Sequence, residues 1–408
     1  VIDLEVPRKF LPLVERARGV AEEVFRPISR TYDRAEHEYP RELDLLSAVI
    51  DGMSSSGAGQ GAGASSVVAA VGSGERHPAA PTVRNGSNLS SVLSILETCR
   101  GDVGLTLSIP RQGLGNAAIA AVATDEQKAR YAGRWAAMAI TEPETGSDSG
   151  AIRTTAVKDG DEYVLNGEKI YVTSGERADL VVVWATLDRS LGKRAIRSFV
   201  VSRANPGLKL VRLEHKLGIR ASDTAAFHLD DCRVPAQDLL GDPDITTAGG
   251  FGGAMQTFDN TRPLVAAMAL GLTRACLDTT TELLADAGVH VDWDRPAHVQ
   301  HAAAARLLQM EAEYEAAHAL TLRAAWMADN GRPNSMEASM AKAKAGRTGV
   351  AVSLACVELA GATGYGEREL LEKWARDSKI LDIFEGTQQI QLLVVARHLL
   401  GLSSSQLK

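Results

Sequence analysis

Cysteine is scarce, with four residues in 408, namely Cys99, Cys232, Cys276 and Cys356, and no CxxC spacing among them. Such a scatter indicates neither a disulfide framework nor a zinc site, and it suits a reducing interior. Basic runs are missing too. A net charge of -7 and a pI of about 5.8, without Lys/Arg clusters interleaved with aromatics, exclude the usual footprint of a nucleic-acid partner. The longest apolar runs, such as Leu264 to Leu272, fall well short of the ~20 residues that cross a bilayer. The opening Val1-Ile2-Asp3-Leu4-Glu5 lacks the charged-then-apolar pattern of a secretory leader. The GxxxxGK[ST] phosphate loop is absent as well. The expectation is a cytoplasmic protein with no membrane span, no metal and no nucleic-acid partner.

What is present is a globular composition, 45% hydrophobic and 23% charged, on a chain long enough for two or three packed units. Apolar residues recur at helical spacing over residues 1 to about 50, including Phe10, Val14, Val20 and Phe25 before Pro27, and again from Arg41 to Ile50. Residues 51–88 are a Gly/Ser/Ala-rich stretch that reads as a surface loop. Helical patterns resume at Val92 to Glu97 and Leu105 to Ala121, and Thr124-Asp125-Glu126-Gln127 has the pattern of a helix start running on to Trp135. Near residue 137 the period changes. Asp159-Gly160 and Asn166-Gly167 are hairpin signals around Tyr163-Val164-Leu165, predicting a three-stranded meander. Further strands are expected at Val181–Thr186, Ser198–Val201, Leu208–Leu213 and Ala225–Leu229. Helices return from about Gly249, with segments from Pro263 to Ala287, Ala302 to Asn330 and Met336 to Ala360. Helices, then sheet, then helices give an α+β chain: an N-terminal helical domain (1–136), a middle β domain (137–243) and a C-terminal helical bundle (244–408).

One carboxylate stands out near the C-terminus, in Asp382-Ile383-Phe384-Glu385-Gly386-Thr387-Gln388-Gln389-Ile390-Gln391. Upstream, Leu371, Trp374, Leu381 and Phe384 give an apolar helix face that Gly386 is placed to stop, and Thr387 is placed to cap the next helix. That next helix, with Ile390, Leu392, Leu393, Val394, Val395, Leu399 and Leu400, reads as too apolar for the surface. Glu385 is therefore expected at a joint between buried segments. Desolvation there raises a carboxyl pKa toward the range of a general base. Taken alone, the same residues fit a structural helix-end glutamate with a satisfied partner better than a chemical one.

Five stretches, in order, carry a resemblance. They are Ile140-Thr141-Glu142-Pro143 continuing to Gly146-Ser147-Asp148, Leu165-Asn166-Gly167-Glu168-Lys169, Lys216 to Thr224, Phe258-Asp259-Asn260-Thr261-Arg262-Pro263, and Glu385-Gly386-Thr387. Together they resemble the acyl-CoA dehydrogenase family of FAD-dependent flavoproteins, and the likeness spans nearly the whole chain. The resemblance implies that Glu385 removes the α-proton of an acyl-CoA thioester while the β-hydride passes to flavin N5. It implies cofactor contacts at Met138, Ile140, Thr141, Gly146, Ser147, Tyr171, Thr173, Thr387 and Gln389, with Tyr171 standing where many members have Trp. Substrate contacts are implied at Ser147, Phe258, Asp259, Thr261, Arg262 and Gly386, with electrons leaving to an electron-transfer flavoprotein.

Three departures qualify that likeness. Val289-His290-Val291-Asp292-Trp293-Asp294 stands where many homo-oligomeric members carry Arg-x-x-Phe-Gly, which grips a neighbouring subunit's FAD. Glu358 replaces a common glutamine near the same part of the cofactor. Residues 51–88 replace a Gly-rich loop near the acyl pocket, so acyl length stays open. The expectation is either a homo-oligomer or, since both cofactor-gripping losses fall on the half-site offered to a neighbour, a heteromer with a related subunit, as in actinobacterial members. A non-catalytic scaffold subunit and a related flavin oxidase or monooxygenase are the alternatives.

Overall fold

The computed structural model describes residues 5–55, 85–244, 250–403 and 406, with side chains over 49–55 and 250–260 outside that description. The N-terminal helices are α1 (Leu11–Gly19), α2 (Arg26–Arg34), α3 (Glu42–Ser55), α4 (Ser87–Cys99), α5 (Val103–Leu107), α6 (Leu114–Val122) and α7 (Asp125–Arg130). Pro27 does not end the first segment. A π-helical turn over Val20–Phe25 joins α1 to α2, and Pro27 falls in the first turn of α2, where its missing N–H has no helical partner to lose. Most of the stretch read as a loop, 56–84, lies outside the described residues, while its first five residues continue α3. The helix expected from Leu105 to Ala121 is two helices, interrupted around Pro110 and Arg111, the latter at φ 65°. Thr124 and Gln127 form a reciprocal capping box at α7, which stops at Arg130 rather than Trp135.

Seven strands follow: β1 (Ala136–Ala139), β2 (Thr155–Asp159), β3 (Glu162–Thr173), β4 (Leu180–Thr186), β5 (Ile196–Ser202), β6 (Leu208–Leu213) and β7 (Thr224–Pro235). They form one sheet in the order β1-β4-β2-β3-β7-β6, with β5 on β4. Strand β4 is buried at every position. Val181, Val183 and Ala185 enter the core with β3 and β7, while Leu180 and Val182 meet Ala118 and Ile119 of α6, as alternation demands of a strand covered on both faces.

The meander is corrected to one hairpin and one long strand. Asp159-Gly160 does turn β2 into β3, but Asn166-Gly167 lies inside β3, at a bulge in its pairing with β7. Gly167 has φ 150°, and a Cβ there would sit 2.6 Å from Thr154 Oγ1. The glycine thus serves a close approach rather than a turn.

The C-terminal helices are α8 (Gly250–Asp286), α9 (Ala302–Asp329), α10 (Ser335–Tyr365), α11 (Leu371–Leu381) and α12 (Gln388–Leu400). Pro263 lies within α8 and does not open it. Among the described residues, α10 alone has the length and hydropathy of a bilayer span, although no run in the sequence suggested one. It packs against α8, α9, α11 and α12 and buries Lys342 and Glu337. The expectation that α12 is too apolar for the surface is also corrected. Only Gln388 and Gln391 of α12 are buried, while Leu392, Leu393, Leu399 and Leu400 are exposed. Its apolar composition leaves an uncovered face on this chain.

Two buried ionic groups tie the layers together. Lys373 of α11 donates to Asp102, at 2.6 Å, and to Asp377. Asp102 also accepts from Ser29 of α2, and Asp377 accepts from the backbone of Ile219, in the loop before β7. A second group lies beneath the first motif. The Glu142 carboxylate accepts from Lys169 Nζ at 2.8 Å, from the backbone N–H of Arg153 and Thr154, and from the Thr154 hydroxyl at 2.6 Å. The two motif residues Glu142 and Lys169 therefore hold β3 to the segment after β1. Ile170 N–H reinforces this by donating to Thr141 O at 2.9 Å.

Candidate active site

The turn between α11 and α12 places Glu385 and Gly386 both at positive φ, 52° and 92°. Glycine is required at the second position on two counts. The conformation is left-handed, and a Cβ would come 2.3 Å from Gln391 Nε2. That amide, fully buried, donates to the carbonyls of Glu385 and Gly386 at 3.0 and 3.1 Å. From the other side Lys342 of α10, also fully buried, donates to the Gly386 carbonyl at 2.8 Å. Thr387 caps α12, accepting from Ile390 N–H at 3.4 Å.

A non-glycine residue held at positive φ costs about 1–3 kcal/mol and persists where its surroundings over-determine it. Here the clamps on the flanking carbonyls do so, and they aim the Glu385 side chain at α8. Its Oε2 accepts from Thr261 Oγ1 at 2.6 Å. Burial raises the Glu385 pKa above the ordinary carboxyl value, and the Thr261 hydrogen bond, Arg262 and Lys342 oppose the rise. Burial also brings the Lys342 amine down to about 8, against the pull of Asp382 and Glu385. A partly desolvated carboxylate flanked by cations that keep it ionisable is the electrostatic setting of a general base.

Glu385 faces a cavity of about 1250 Å³ between the N-terminal helices, the sheet and the C-terminal helices. Of the residues singled out in the sequence, the cavity gathers Met138, Ile140, Thr141, Gly146, Ser147, Tyr171, Thr173, Thr261, Arg262, Glu385 and Gly386. Thr387 and Gln389 are not among its lining residues, and Gln389 is exposed. Phe258 and Asp259 fall in α8, with side chains outside the described residues. Thr261, read as facing substrate, spends its hydroxyl on the Glu385 carboxylate. Tyr171 sits at φ 57° with its side chain 63% exposed, beside the bulge between Lys169 and Val172. A strained, uncovered aromatic on the wall of a cavity is a platform for a flat ring.

The space also suits a large ligand pair. Pockets for a single drug-sized molecule run ~300–1,000 Å³, so this one has room for a dinucleotide cofactor's ring and a substrate chain together. Apolar residues such as Leu107, Ile109 and Met268 line it alongside the cations Arg16, Lys193 and Arg397, a mixture that fits an acyl chain and anionic phosphates.

Sequence reasoning did not find Lys342 or Gln391. A lysine between Ala341 and Ala343 in an alanine-rich stretch, and a glutamine six residues after the candidate base, were the available signals.

Comparison with known proteins bears on the chain's family and fold. Residues 137–232 match the acyl-CoA dehydrogenase middle domain and residues 248–400 the acyl-CoA dehydrogenase C-terminal domain. The chain belongs to the acyl-CoA dehydrogenase family. It is similar to the mouse mitochondrial short-chain specific acyl-CoA dehydrogenase, 40% identical over 64% of this chain and 62% of that protein, so the match spans under two thirds of that relative's length. An acyl-CoA dehydrogenase of Bacillus subtilis is 35% identical over 77% of this chain and 83% of its own. Among solved structures, butyryl-CoA dehydrogenase from Megasphaera elsdenii aligns with a TM-score of 0.80 at 28% identity, covering 98% of this chain and all of that one.

Proposed function

We propose that this chain carries out the α,β-dehydrogenation of an acyl-CoA thioester, with Glu385 as the base that takes the α-proton. The carrying observation is the Glu385 carboxylate, part-buried and hydrogen-bonded to Thr261, with a raised pKa, on the wall of the cavity that also holds Thr141, Tyr171 and Thr173. Bound FAD would supply the acceptor for the β-hydride, held by Met138, Ile140, Thr141, Gly146, Ser147, Tyr171 and Thr173, with Thr387 and Gln389 reaching it from the C-terminal side.

The protein's own part is to bind, orient and exclude water. The left-handed turn points Glu385 inward, and Thr261 fixes which oxygen faces the substrate α-carbon. Arg262 and Lys342 stabilise the carboxylate before proton transfer, when its charge is needed. Ser147, Phe258, Asp259, Arg262 and Gly386 complete the substrate side in this reading, and an electron-transfer flavoprotein in the cytoplasm would be the electron acceptor. The units 1–136, 137–243 and 244–408 act as separate domains around the cavity. Rapid mixing of the FAD-loaded protein with butyryl-CoA tests the assignment. Flavin bleaching is expected, slowed ~10²–10⁴-fold in Glu385→Gln. Failure of the wild type to bleach with short, branched or long acyl-CoA would favour a scaffold subunit instead.

The heteromer remains part of the proposal. The uncovered Leu392, Leu393, Leu399 and Leu400 favour a partner. At the degraded half-site, Glu358 is paired with Arg306 at 3.0 Å, and Gln300 organises the 292–295 turn by bonding Asp292 and Arg295. Glu358 is therefore partly neutralised, and the Arg-x-x-Phe-Gly pattern itself is absent from the turn, whose one arginine is the exposed Arg295. Full, tight FAD occupancy of the chain purified alone as a homo-oligomer would refute the heteromer.

A further inference from the structure

Away from the cavity, three side chains with metal-binding atoms converge where the connection between α2 and α3 meets the connection between β6 and β7. Glu36 and His37 come from the first and His215 from the second, and one ligand atom of each lies within 4.8 Å of the others. His215 Nδ1 is 3.0 Å from Glu36 Oε2, and the His37 and His215 ring centres are 5.1 Å apart. We propose that Glu36, His37 and His215 form a site for a divalent transition-metal ion of the zinc class that clips the N-terminal helices to the middle sheet.

Three observations carry this. The first is that both ring nitrogens of His37 are shielded from solvent without a hydrogen-bond partner among the described residues. Buried polar atoms are normally satisfied, and an orphan imidazole points to a ligand that completes it. Secondly, His37 sits in the left-handed region at φ 75°, a conformation a bulky residue adopts only when held. Arg177 holds it, donating to the carbonyls of His37 and Glu38 at 3.3 and 2.8 Å. Thirdly, Glu36 is oriented from behind. Lys216 N–H donates to its Oε1 at 2.8 Å, leaving Oε2 toward the two rings, the arrangement in which an outer partner fixes a metal-binding carboxylate.

Nearby cations are engaged elsewhere. The Lys216 amine donates to Ser222 O at 2.7 Å, and Arg177 lies 3.3 Å from Asp223. A metal at ~2.0–2.2 Å from three such atoms draws them to ~3.3 Å separation. The Glu36–His215 pair is already at 3.0 Å, and the 84% exposed His215 side chain has room to adjust. Two imidazoles and one carboxylate with water in the fourth position suit zinc and its neighbours, whereas magnesium and calcium favour all-oxygen sets.

The experiment uses the full chain loaded with FAD and cleared of metal by a chelator, titrated with zinc chloride by calorimetry and with cobalt(II) by absorption. The expected result is one zinc per chain, a cobalt spectrum of tetrahedral intensity, and no uptake of magnesium. Affinity should fall at least ~10-fold in His215→Ala and in Glu36→Gln, while both variants keep the wild-type far-UV spectrum and flavin content. Zinc should raise the melting temperature of the wild type alone. Absence of stoichiometric zinc in the wild type would overturn the site and leave a surface Glu36–His215 pair. Equal binding by both variants would overturn it too.

Discussion

The Lys342 amine holds the carbonyl next to the candidate base, and removing it separates two contributions. In Lys342→Met the charge-assisted hydrogen bond to Gly386 O is lost, worth about 1.5–3 kcal/mol. Gln391 still donates to that carbonyl at 3.1 Å, so it is not left bare and the lower figure applies. If the loss appears as misplacement of Glu385, about 1.4 kcal/mol per decade gives roughly a tenfold slower flavin bleaching. The electrostatic part has its own signature. Burial raises the Glu385 pKa and Lys342 opposes that rise, so losing the cation raises it further and moves the acid limb of the pH–rate profile to higher pH. The base must be ionised, hence the deficit is greatest on the acid side. It shrinks toward the positional part as pH rises past about 8, because the wild-type Lys342 itself then gives up its proton. Rapid-mixing bleaching rates across that range test it, with Lys342→Arg retaining the acid limb. A Lys342→Met profile of wild-type shape, accompanied only by a lower melting temperature, would refute the reasoning.

Other perturbations have defined outcomes. Thr261→Val deletes the 2.6 Å hydrogen bond to Glu385 that lowers the base's pKa, so its acid limb also moves to higher pH, read from the same rates. Lys373→Met leaves Asp102 and Asp377 facing each other in the core, and urea unfolding should show a loss of about 3–5 kcal/mol; a change under ~1 kcal/mol would mean the carboxyls simply take up protons. In Gly167→Ala the new methyl meets Thr154 Oγ1 at 2.6 Å, with Cα and Cβ just behind, costing about 1–3 kcal/mol in urea unfolding; Thr154→Ser, which keeps all three atoms, should not recover it.

Much of the architecture was legible in the sequence because period-2 and period-3.6 patterns were continuous there. The run Val181–Thr186 is β-branched and apolar with turn residues beyond it, and the structure places β4 over Leu180–Thr186. Asn166-Gly167 was misread because a hairpin and a bulge ask the same thing of glycine, and only the packing of Thr154 distinguishes them. The apolar residues of α12 announced a surface that needs cover without saying which molecule supplies it. Around Glu385, the candidate base and the cap at Thr387 were visible as a short motif. Lys342 and Thr261 come from α10 and α8, and no spacing rule links helices so distant in sequence to the turn they support. Glu142 and Lys169 illustrate the opposite case, since each stood in a recognisable motif while their pairing with each other emerged only from the fold.

The Lys373 group has a thermodynamic consequence. Its partners sit on the N-terminal helices, in the loop that enters β7 and on α11, so no one of these regions can melt without stranding a charge inside the others. Heating should therefore produce one calorimetric transition spanning helices and sheet, with calorimetric and van't Hoff enthalpies in agreement, rather than the stepwise melting of a three-part chain.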